Sequence, residues 1–136
     1  MTETEVSTDP QREETRYAAC SAAVLNARRD MAQALRRWGL PELVGPVGQV
    51  VSELVANAVQ HTSSRTVGIS ITRTDEVTVR LMVMDSSRRL PQTGTPTPGA
   101  EGGRGLLLVA AFADRWGVTP VHGGKRVWAV LKAATR

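Results

Sequence analysis

Three short stretches of this 136-residue chain carry residues able to do chemistry. The first is Glu53, Asn57 and His61, spaced four apart. Four residues advance a helix by about 400°, so these side chains lie on one face in adjacent turns. They fall at the edge of an apolar stripe and are therefore partly buried. Partly buried polar groups need partners, either structural hydrogen bonds or a ligand. The second is Asp85, where an apolar strand runs into a loop. Its carboxylate either accepts a hydrogen bond from an amino group or simply starts a turn. The third is Gly102-Gly103-Arg104-Gly105, opening an apolar segment. Glycines let backbone approach a ligand, and the N–H groups of a helix start favour an anion such as phosphate. Arg104 would add a cation; the other reading is a flexible hinge. The stretch is neither a P-loop nor a Rossmann start, because it follows a long Pro-rich loop and not a strand.

The elements that must position these residues can be read from periodicity. Residues 21–38 predict a helix, with Ser21 as N-cap, Gly39 as C-cap, and Val24, Ala27, Met31, Ala34, Leu35 and Trp38 as its apolar stripe. A second helix is expected over 41–61. Gly45-Pro46 disturbs its start and moves the regular part to about Val47. Val47, Val50, Val51, Leu54, Val55 and Ala58 form its buried stripe. Residues 66–72 and 77–84 are rich in β-branched side chains and flank Asp75-Glu76, which predicts an antiparallel hairpin. A long Pro- and Gly-rich loop then leads to a helix expected over 105–116. A second hairpin, 117–121 and 125–132, turns at Gly123-Gly124. Residues 15–20 read as a short strand and 1–14 as a disordered polar tail ahead of a single domain over 15–136. This order predicts an α+β fold: a two-layer sandwich with helices on one face of a mixed, mostly antiparallel sheet.

Composition removes several function classes. Aromatics are 4% of residues, so a groove of rings stacking single-stranded nucleic acid is not expected. One cysteine, Cys20, excludes an intrachain disulfide and a multi-Cys zinc site. The longest apolar run, Leu106 to Ala113, is too short to span a bilayer, and residues 1–14 lack the pattern of a secretory signal. A cytoplasmic protein is expected. The net charge is +4, but the arginines come in scattered pairs (Arg28/Arg29, Arg36/Arg37, Arg88/Arg89) and read as solvated faces. Neither a nucleic-acid nor a membrane partner is expected.

Together the three stretches are more specific than any one of them. A helix with E-x-x-x-N, a strand ending in Asp, and a long loop closing on a Gly-rich helix start resemble the Bergerat-type ATP site of the GHKL superfamily, which includes gyrase, histidine kinases and MutL. Within it the chain most resembles the anti-sigma-factor serine kinases of the RsbW type. VVSELVANAVQHT is similar to that family's N-box. VMDSS is similar in position, and partly in residues, to its first glycine box. EGGRGLLLV is similar to the second, and GGKRVWAVL to the closing strand. The resemblance covers about residues 20–132.

The resemblance implies an ATP-binding serine/threonine protein kinase that uses Mg²⁺. Glu53 would be the general base and Asn57 the Mg²⁺ ligand. Asp85 would accept the adenine amino group, with Ser87 beside it. Gly103, Gly105 and Leu106 would hold the phosphates through backbone N–H groups, with Arg104 nearby. Residues 86–104 would form the ATP lid, and His61 would be structural support. The implied partners are an anti-sigma-factor antagonist, phosphorylated on serine, a sigma factor sequestered in turn, and a second copy of the chain as a homodimer. Two positions depart from the family pattern. Ser87 stands where the first glycine box has glycine. Arg126, as aligned, stands where the closing strand has a threonine that fixes the adenine-binding Asp. These departures motivate an alternative: a non-catalytic protein-binding module that keeps the fold with weak or no nucleotide binding.

Overall fold

The first helix, α1 (Ala22–Arg37), forms where the apolar positions recur at helical spacing. It buries Ala23, Ala27, Met31, Ala34 and Leu35. Ser21 stands at the N-cap, but its side chain makes no capping hydrogen bond. The other end closes as the glycine predicts. Gly39 takes a φ of 75°, its N–H donates to the Arg36 carbonyl, and the Leu40 N–H donates to the Leu35 carbonyl. This doubly bonded closure needs a residue tolerant of left-handed backbone. A short 3-10 turn (Pro41–Leu43) leads into α2 (Val44–His61). The helix starts at Val44, three residues before the expected regular part. Pro46 is tolerated there because first-turn N–H groups have no intrahelical partner to lose. All six predicted stripe residues of α2 are buried, as is Gly48.

The chain is seen in a computed structural model that describes residues 11–62, 64–86 and 109–134. Its five strands are β1 (Arg12–Ala18), β2 (Thr66–Arg73), β3 (Thr78–Asp85), β4 (Arg115–Val121) and β5 (Gly124–Lys132). They form one sheet in the order β1-β2-β3-β5-β4, and all four pairings are antiparallel. The α+β two-layer expectation therefore holds, with an antiparallel sheet where a mixed one was allowed for. The hairpin between β2 and β3 is set by Asp75, whose carboxylate accepts the Val77 N–H at 2.9 Å and is thereby held below its usual pKa.

Two boundaries differ from expectation. β1 begins at Arg12, inside the stretch read as tail. Its edge-strand residues are almost all polar, so no hydrophobic alternation marks them. They are held instead by the ladder to β2 and by ion pairs of Arg12 with Glu14 and Glu13 with Arg37. The helix expected to reach residue 116 is helical at 109–112, and Arg115 and Trp116 already belong to β4. Trp116 pairs with Ala129, and the Asp114 N–H donates to the Val130 carbonyl.

The core lies between α1 and α2 and one face of the sheet. Tyr17, Val67, Ile69, Ile71, Val79, Leu81, Val83, Val127, Ala129 and Leu131 point into it. It is almost wholly aliphatic, and each fully buried Leu, Ile or Met contributes about 1.5–3 kcal/mol. Tyr17 and Trp38 are the exceptions. The Tyr17 hydroxyl donates to Asp30 Oδ2 at 2.5 Å, and burial with that neighbouring carboxylate pushes its pKa up to about 12.

Candidate functional site

Helix α2 carries Glu53, Asn57 and His61 half-buried at the margin of its apolar stripe, as the spacing requires. Its C-terminal end is tied to the end of β3. The Thr62 and Ser86 hydroxyls share a hydrogen bond of 3.0 Å, and the Ser86 N–H donates to Thr62 Oγ1 at 3.4 Å. The C-terminal end of α2 is thus anchored beside Asp85, the last residue of β3. Asn57 is five residues from this anchor, about 7.5 Å along the axis, and Glu53 is about 13.5 Å away.

Asp85 is buried. It continues the helix-facing series Val79, Leu81 and Val83, because alternate strand residues share a face. A buried carboxylate needs a counter-charge or several hydrogen bonds. The sheet register supplies one: Lys125 on β5 lies directly opposite Asp85. Its Nζ donates to Asp85 Oδ1 at 3.0 Å, and the two side chains are 4% and 2% exposed. The tight turn before β5 brings this lysine in. A methyl group at Gly124 would overlap the Asp85 carbonyl oxygen and the Ser86 Cα, so only glycine lets the strands approach this closely.

Lys125 is the functional residue that the motif comparison misses. Its signal was in the alternation. Val127, Ala129 and Leu131 are core residues, so Lys125, two positions earlier, faces the same way. A lysine in that series is almost never fully buried without a partner. The same alternation corrects the reading of Arg126. That residue is exposed on the opposite face of the sheet, between Met84 and Thr119 in register. It does not stand beside the Asp85 carboxylate; Lys125 does. Ser87, Gly103, Arg104, Gly105 and Leu106, and the expected lid from residue 87 onward, lie outside the described residues.

The arrangement suits a nucleotide. An ionised carboxylate has two oxygens and about four acceptor positions. The bond from Lys125 to Oδ1 of Asp85 occupies one of these positions. Asn57 offers one neutral oxygen. That suits Mg²⁺, which keeps several waters and is usually held through few protein ligands plus substrate phosphates. Among the described residues no group of three His, Cys, Asp or Glu side chains could hold a metal alone, and no helix is long and apolar enough to cross a membrane.

The model of the histidine kinase-like ATPase domain matches residues 17–131. Among solved structures, the chain is similar to the histidine kinase domain of a blue-light activated histidine kinase from Erythrobacter litoralis EL346. The two are 28% identical, with a TM-score of 0.47, over 68% of this chain and 45% of that one. The chain thus spans less than half of that structure. A search of curated proteins gives no match. With a family match across nearly the whole described domain, the chain belongs to the histidine kinase-like ATPase domain family.

Proposed function

We propose that the protein is an ATP-binding serine/threonine protein kinase and anti-sigma factor of a partner-switching system. The observation that carries this reading is the anchoring of the C-terminal end of α2, the helix that carries Glu53 and Asn57, beside the buried Asp85 through Thr62 and Ser86. Asp85 recognises the adenine amino group, and Asn57 holds the Mg²⁺ that accompanies the phosphates. That ion, when bound, offsets charge developing on the transferred phosphoryl group. Glu53 takes the proton from the substrate serine as its oxygen bonds to the γ-phosphorus and ADP leaves. The substrate is a serine of an anti-sigma-factor antagonist, and the unphosphorylated partner cycle releases the sequestered sigma factor. Arg126 lies on the far face of the sheet and Lys125, not a threonine, stands beside Asp85, so the alternative of a nucleotide-free binding module keeps both of its motivating departures.

The test is phosphoryl transfer from labelled Mg-ATP to a candidate antagonist, by the wild type and by Glu53→Gln. Serine labelling by the wild type that falls at least about a hundredfold in the variant supports the reading, since a positioned general base contributes about 10²–10⁴. Equal labelling by both proteins contradicts the role of Glu53. Absence of labelling alongside tight Mg-ATP binding contradicts the kinase assignment.

A further inference from the structure

The outer face of the sheet, turned away from the helices, carries a second feature, which Asp85 and Lys125 border from the strand ends. One row of the ladder crosses it as Arg16, Gly68, Met84 and Arg126, each paired with the next. The row spans three strand steps, about 14 Å between its outer Cα atoms. The space over Gly68 is taken by the Met84 methyl, 3.1 Å from where a Cβ would stand, and by the Arg16 guanidinium, with Cζ and Nη1 at 3.7 Å. Beside this row, toward the turn at Gly123 and Gly124, lies a cavity of about 230 Å³ whose wall includes Arg16, Thr66, Met84, Ser86, His122 and Arg126. Arg16 is steadied by donating from Nη1 to Thr66 Oγ1 at 3.0 Å.

Charge around this cavity is unbalanced. Among the described residues neither Arg16 nor Arg126 has a carboxylate partner, whereas Arg12, Arg29 and Arg37 each have one. Glu14, the nearest acid on the outer face of β1, is taken by Arg12. Asp85 also borders the cavity, but its carboxylate lies on the helix side and is paired with Lys125. Two arginines that border one recess with hydroxyls and an imidazole are suited to a tetrahedral oxyanion, because the guanidinium fork matches its oxygens in pairs.

We propose that this recess between Arg16 and Arg126 is a binding site for a phosphoryl group, either free phosphate or a phosphate monoester on a partner's side chain. It lies on the opposite face of the sheet from Asp85's carboxylate and does not depend on the kinase reading.

The test is an amide-resolved NMR titration of the full chain with inorganic phosphate and, separately, with a short phosphoserine peptide, at constant ionic strength. Saturable shifts are expected at Thr66, Ser86 and Gly124. Arg16→Gln and Arg126→Gln each weaken binding by about tenfold or more, the scale of one charge-assisted hydrogen bond. Arg80→Gln, on the same face but outside the recess, leaves affinity unchanged. Tighter binding of the peptide assigns the site to a phosphorylated partner; equal affinities assign it to the free anion. The proposal is overturned if neither probe saturates these amides, or if Arg80→Gln weakens binding as much as the other two. All three arginines are at the surface of an intact sheet, and the unshifted amides of the core report that each variant is folded.

Discussion

Replacing Lys125 by methionine tests the structural core of the site. The lysine and Asp85 side chains are 4% and 2% exposed, and their charged atoms are 3.0 Å apart. At an effective dielectric constant of about 20 this separation corresponds to about 5 kcal/mol of attraction, part of which offsets desolvation. Lys125→Met leaves the Asp85 carboxylate buried without its counter-charge, and such a truncation costs about 3–5 kcal/mol. A domain of this size has about 5–15 kcal/mol in all, so the variant should remain folded but fragile. With a urea slope of about 2 kcal/mol per molar, its unfolding midpoint falls by about 2 M. Asp85→Asn should lose a comparable amount. The double variant should lose less than the sum, with a coupling energy of about 2 kcal/mol or more. Urea unfolding of the four proteins, followed by circular dichroism, reads all of this. A midpoint shift under about 0.5 M for Lys125→Met, or a fully additive cycle, would refute the argument that Asp85 depends on this lysine.

Further outcomes follow from particular contacts. Gly124→Ala puts a methyl group into the Asp85 carbonyl and should destabilise by about 1–3 kcal/mol or more, measured by urea midpoint, because backbone must move. Thr62→Val removes the hydroxyl that joins α2 to Ser86, so it should cost about 1–2 kcal/mol of stability and weaken nucleotide binding while leaving the fold intact. Tyr17 is the only tyrosine, so phenolate absorbance reports it directly. Its titration should centre near pH 12 in the native protein and near 10 in urea. Because the folded pKa is the higher one, its contribution to stability is complete below the unfolded pKa and is lost as pH rises through the folded one. Tyr17→Phe should abolish that alkaline loss.

Much of the layout was legible from periodicity. The stripes of α1 and α2 and the alternation of β3 are each imposed by one buried face, and a one-residue slip would expose the whole set. The spacing of Glu53 and Asn57 located the polar margin of α2 for the same reason. Three things were not legible. The start of β1 at Arg12 is an edge strand held by backbone pairing and ion pairs, which leave no apolar signature. The switch from helix to β4 at Arg115 falls within a run that stays apolar through Ala113 and resumes at Trp116, so pattern alone does not divide it. The pairing of Lys125 with Asp85 depends on the register between β3 and β5, which are separated by β4 in sequence yet adjacent in the sheet. Long-range register also decided Arg126. Motif comparison placed it at the adenine end, whereas the pleat sends it to the other face, where it borders the same recess as Arg16.

Calorimetric titration of Mg-ATP into the wild type and Asn57→Ala addresses the nucleotide site itself. The half-buried amide of Asn57 is the only protein metal ligand that the site reading assigns, and the core does not depend on it. Saturable binding by the wild type that is lost in Asn57→Ala is the predicted result. Absence of binding by the wild type, or equal binding by both proteins, would contradict it.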